Sequence, residues 1–150
     1  MNASISASKD KVLEGKRILE RQLYWLEIAY QDALIVGIRK EYNVEEFGKL
    51  TILCGRYSRS VNFLIRKVFR DLDDFEFEDR TTLIDVIKHS YNRYLFESID
   101  EVRMIKDIKN RIVDEYIDDN LALLFEDVLE YTQSLIEMID KTIKYIDKIE

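Results

Sequence analysis

No proline interrupts the chain, and only four glycines are spread through its 150 residues. That property favours long unbroken helices, because proline removes a helix hydrogen bond and glycine weakens the helical backbone. Apolar residues recur at spacings of three and four almost throughout, which is the helical period. A β-sandwich needs many turns rich in Gly, Pro and Asn, and these are scarce here. The expected fold is all-α: an up-down bundle of four long helices plus one short helix. Residues 10–150 are expected to form this one bundle, and residues 1–9 a frayed N-terminus.

Hydrophobic residues make up 47% and charged residues 35% of the chain, a globular balance rather than a disordered one. No uncharged run exceeds the first eight residues, so no segment reads as a membrane span. Those residues lack the basic and apolar regions of a signal peptide, and a cytoplasmic location is expected. One cysteine, Cys54, allows neither an internal disulfide nor a Cys-based zinc site. One histidine, His89, allows no His-His metal pair, so neither a metal nor a cofactor is expected.

A first helix is expected from about Asp10 to Tyr42, with Gly37 kinking or ending it. Asn43 with Glu46 reads as a capping box for a second helix, whose seam is Phe47, Leu50, Cys54, Tyr57, Val61, Leu64 and Val68. Asp71–Asp79 reads as an acidic loop. Leu83, Ile87, Tyr91 and Tyr94 mark a short helix capped by Thr81 or Thr82. Ser98 and Glu101 suggest a further capping box, ahead of a stripe of Val102, Ile105, Ile108, Ile112 and Tyr116. Asp118 or Asp119 is expected to cap a last helix through Leu121, Leu124, Val128, Leu135, Ile139, Ile143 and Ile146.

Charge is segregated. Residues 49–70 carry six bases (Lys49, Arg56, Arg59, Arg66, Lys67, Arg70) and no acid, and residues 71–79 carry six acids and no base. A net charge of −7 thus conceals a strongly cationic helix. Such a helix either attracts RNA, a nucleotide phosphate or an acidic partner, or pairs with its own acidic neighbours inside the bundle.

The segment Lys109-Asn110-Arg111-Ile112-Val113-Asp114-Glu115-Tyr116 resembles the signature of the HEPN superfamily, small α-helical proteins of toxin–antitoxin and phage-defence systems. That signature is Arg-Asn, a few residues, then His, often followed by x-Tyr. Arg66-Lys67-Val68-Phe69-Arg70-Asp71-Leu72-Asp73 resembles the end of the preceding long helix in one HEPN branch. Thr82-Leu83-Ile84-Asp85 and the segment Ser98–Asp107 also fall in that branch's order, so the likeness covers roughly residues 50–145. It implies a homodimer, with RNA or a nucleotidyltransferase as partner.

Active HEPN proteins are metal-independent ribonucleases that use the Arg and His of the motif near a dimer interface. Here Lys109 stands at the Arg position and Asp114 at the His position, while Asn110 and Tyr116 are retained. Lysine keeps the charge but loses the planar guanidinium fork. Aspartate, with a reference pKa near ~4, is an anion where a near-neutral acid/base group is needed. The resemblance therefore implies a binding or regulatory member with a weakened or lost ribonuclease site. The alternatives are an active metal-independent endoribonuclease and a helical interaction protein with only architectural likeness to HEPN. Tyr116 is either the core tyrosine its spacing suggests or, as in one HEPN branch, the phenol that a nucleotidyltransferase adenylylates. Candidate binding residues are Arg56, Arg59, Arg66, Lys67 and Arg70. His89 is expected on an exposed polar face, and Cys54 as a buried, unreactive thiol.

Overall fold

A computed structural model of the protein describes residues 3–79, 82–117 and 121–150. Among them every element is helical and no strand occurs. The helices are α1 (Ala3–Val36), α2 (Val44–Phe63), α3 (Phe69–Phe75), α4 (Leu83–Asn92), α5 (Ile99–Ile117) and α6 (Phe125–Asp147). A π-helical turn, Leu64–Val68, joins α2 to α3 without a break, and a 3-10 turn, Leu121–Leu124, leads into α6. Among the described residues no helix is long and apolar enough to cross a membrane.

Local chemistry sets the helix ends. Gly37 adopts φ +69 and donates its N–H to the Ala33 carbonyl at 2.9 Å, the left-handed stop that glycine accepts most easily. The Asn43 side chain accepts from the Glu46 amide at 2.8 Å, and Glu46 reaches back to the Asn43 amide at 3.0 Å. This is the capping box expected for α2. Thr82 and Asp85 form the same reciprocal pair at the start of α4. Ser98 Oγ accepts from the Glu101 amide at 3.1 Å ahead of α5. The alternative cap Thr81, and Asp118 and Asp119, lie outside the described residues.

α1 packs along α2 and α6 and touches α3, while α2 also packs on α5 and α6. The core between them holds Leu19, Leu26, Leu50, Leu64, Phe69, Ile105, Phe125 and Ile139, all fully buried. Each such side chain contributes about 1.5–3 kcal/mol on leaving water. Tyr57 is also fully buried, and its hydroxyl donates to the Ile105 carbonyl at 3.0 Å, fastening α2 to α5. The expected α2 seam is buried from Leu50 to Val68, with Phe47 half-buried at its edge.

Three expectations need correction. The first helix starts at Ala3 rather than at about Asp10, so residues 3–9 are helical as the first turns of α1; Ile5 and Ser8 are half-buried and lie on the stripe that continues through Val12. The acidic segment is helical through Phe75, and Asp71 and Asp73 are buried in it because each has a cationic partner. In α4 the buried positions are Val86, Ile87 and Ser90, whereas Tyr91 is exposed and Tyr94 lies beyond the helix end at φ 63.

Candidate functional site

α5 carries the motif-like segment, and its winding turns Lys109 inward while Asn110 and Asp114, one turn apart, share an exposed face. Lys109 is only 9% exposed, while Asn110 and Asp114 are exposed. Five residues of helix place Asp114 about 140° around the axis from Lys109. The Tyr116 side chain lies outside the described residues.

Lys109 instead meets the basic helix. Burial pushes its pKa down, and the nearby cations Arg66 and Lys106 push it down further; among the described residues no carboxylate offsets them. Arg66 belongs to the π-helical turn, so the junction of α2 and α3 supplies one cation and α5 supplies two. A partly desolvated lysine beside two like charges is an unbalanced site that gains from an anion. The two groups nominated separately in the sequence, the basic helix and the motif helix, thus converge on Arg66 and Lys109. Lys106 completes the cluster, and only its place one turn before Asn110 hinted at it.

The remaining basic residues divide. Lys67 is held by Asp71 at 2.6 Å, and the Arg56 guanidinium lies over the Trp25 ring at 5.4 Å from its centroid. Arg70 is half-buried. Arg59 and Arg66 are exposed, and among the described residues neither forms an ion pair. A groove of about 450 Å³ runs between α2 and α5 below Arg56 and Arg59, with Ile112 and Leu121 on its far wall. Arg59 and Arg66 stand about 10 Å apart along the helix axis. Cys54 borders this groove but is itself buried, and burial raises its thiol pKa to about 12. It stays protonated and inert, as expected.

His89 departs from the exposed position expected for it. Only 21% of its side chain is exposed, and Nδ1 lies 3.0 Å from Oδ2 of the fully buried Asp73. The other Asp73 oxygen accepts from Arg93 Nη2 at 2.8 Å. Arg93 also pairs with Glu76, whose second oxygen accepts from the Tyr145 hydroxyl at 2.5 Å. This network ties α3, α4 and α6 together. Asp73, His89 and Arg93 are separated by 16 and 20 residues, so no local motif announced them. Among the described residues no cluster of three or more His, Cys, Asp or Glu side chains could hold a metal ion.

Compared with known proteins, the chain is matched by no family model, no curated protein and no solved structure.

Proposed function

We propose that this protein is an HEPN-like member of a toxin–antitoxin or defence module, acting in the cytoplasm as a homodimer that binds rather than cleaves. Its ligand in this reading is RNA, held through phosphate by Arg59, Arg66, Lys106 and Lys109. The finer plan, four long helices with α2 to α3 counted as one, plus the short α4, belongs to the same reading. So does a nucleotidyltransferase partner that modifies Tyr116.

The observation that carries the reading is the burial of Lys109 beside Arg66 and Lys106, with no offsetting carboxylate among the described residues. Phosphate supplies the missing negative charge, and counterion release adds affinity. Catalysis would need an acid/base group titrating near neutrality beside that phosphate. The motif holds no histidine for this role; Asp114 stands at that position.

Fluorescence anisotropy with a labelled single-stranded RNA, at several salt concentrations, tests binding. Wild type is expected to bind with a steep salt dependence. Arg66→Ala or Lys109→Met should weaken binding about tenfold and lower the salt slope by about 1. No binding at low salt would end the proposal. RNA cleavage in the presence of a chelator, abolished by Asp114→Ala, would replace it with the nuclease reading.

A further inference from the structure

Two exposed surfaces flank α4 and complement each other in shape and charge. The first is the segment that follows α3. Phe77 sits at φ 60, a conformation costly for a bulky side chain, and leaves 73% of its surface exposed. The segment is nonetheless held firmly. Glu76 is tied to Arg93 and Tyr145, the Phe77 amide donates to the Asp74 carbonyl at 3.3 Å, and the Glu78 amide donates to the Asp73 carbonyl at 2.9 Å. An aromatic ring is thus presented to solvent from a hydrogen-bonded backbone, followed at once by the exposed acids Glu78, 3.8 Å from His89 Nε2, and Asp79.

The second surface is a cavity of about 300 Å³ between α4 and α5. Its apolar floor is Ile84, Ile87 and Ile99, and its rim is Lys88, Arg103 and Lys106. Among the described residues no carboxylate lines it, although Arg103 donates to the exposed Asp100 at 3.3 Å. Ile84 is 63% exposed, so the floor is open to a ligand. A cavity of roughly 150 Å³ already accommodates benzene. The site therefore fits an aromatic side chain that carries negative charge beside it.

We infer that this cavity receives Phe77 of a second copy of this chain, with Glu78 and Asp79 of that copy against Lys88 and Arg103. Donor and acceptor flank the same helix, so a two-fold axis beside α4 makes the contact reciprocal and doubles it. The strained, pre-ordered segment suits this role, because little ordering cost remains to be met on association. The inference rests on the homodimer in the proposed function and adds the surfaces that meet. Lys106 borders both this cavity and the candidate phosphate site, whereas Phe77, Lys88 and Arg103, which the test changes, lie outside that site.

Sedimentation equilibrium of the full chain over a wide concentration range tests it. Wild type is expected to dimerise, and Phe77→Ala to raise the dissociation constant at least about tenfold. Phe77→Gly relieves the backbone strain, so it should weaken the dimer while raising the urea midpoint of the monomer, a split that a merely structural role would not give. The pair Lys88→Glu and Arg103→Glu should weaken the dimer equally, and adding Glu78→Lys and Asp79→Lys should restore it. A wild type that stays monomeric at every concentration overturns both the dimer and this interface. A dimer indifferent to Phe77→Ala and to charge reversal overturns the interface alone.

Discussion

Arg93 and Lys109 are both cations drawn largely out of water, yet they occupy opposite electrostatic situations. Burial works against the charge of Arg93, but hydrogen bonds to Asp73 and Glu76 outweigh it, and its pKa is raised. Burial works against the charge of Lys109 as well, and its neighbours Arg66 and Lys106 add to the penalty. Burial alone therefore says little about what a charge is for. A cation already matched by carboxylates holds the fold together. A cation surrounded by its own kind leaves a debt of charge that a ligand can settle.

The largest test of this contrast removes the carboxylate at the centre of the paired cluster. Asp73→Ala leaves Arg93 buried with one partner fewer and His89 with none at Nδ1. A loss of about 3–5 kcal/mol in urea unfolding is expected. A loss below about 1 kcal/mol would show that the network contributes nothing beyond surface pairing.

Lys109→Met probes the opposite case. Removing an unmatched buried charge while keeping the aliphatic volume should raise stability by roughly 1 kcal/mol. Because the folded pKa of Lys109 lies below that of the unfolded chain, the unfolded state binds more protons between the two values. Wild-type stability should therefore rise as pH climbs through that window, just below the usual lysine range. The rise should be absent in Lys109→Met. Urea midpoints measured from neutral to alkaline pH check both statements; a destabilised variant would mean that Lys109 is matched by a group of its own after all.

The helix caps provide a smaller, uncharged reference. Asn43→Ala should cost about 0.5–1 kcal/mol by thermal unfolding, whatever the state of either charged cluster. A much larger loss would mean that Arg39, which pairs with Glu46 at this cap, belongs to a longer network than its exposure suggests.

The caps were legible in the sequence because they are local. Asn43 with Glu46, Thr82 with Asp85 and Ser98 with Glu101 each span three residues, and the chemistry that joins them is fixed by that spacing. The α2 seam was legible for the same reason, being one periodic stripe on one helix. The helical start at residues 3–9 was hidden by small polar side chains, which look alike in a first turn and in a loose end. Asp73 was hidden because a run of six acids reads as solvated, and only a partner from α4 makes one of them an interior residue. For the candidate site, the basic helix and the motif helix were each visible, but not their meeting. That depends on how α5 crosses α2, which neither stripe specifies.

The π-helical turn has a consequence for how this chain tolerates change in length. The Phe69 amide reaches back five residues to the Leu64 carbonyl, so Leu64–Val68 takes up one residue more than an α-turn would. The helical phase on either side is thereby kept with a spare residue stored between: Arg59 stays outward upstream and Asp73 stays inward downstream. Deleting Arg66, an exposed residue of the turn, would let it relax to ordinary winding with both flanks still in register and the Lys67–Asp71 pair kept. The same deletion in α2 or α5 would rotate everything beyond it by about 100°. This one turn is thus the point in the long rod from Val44 to Phe75 where the chain can lose a residue and keep its faces.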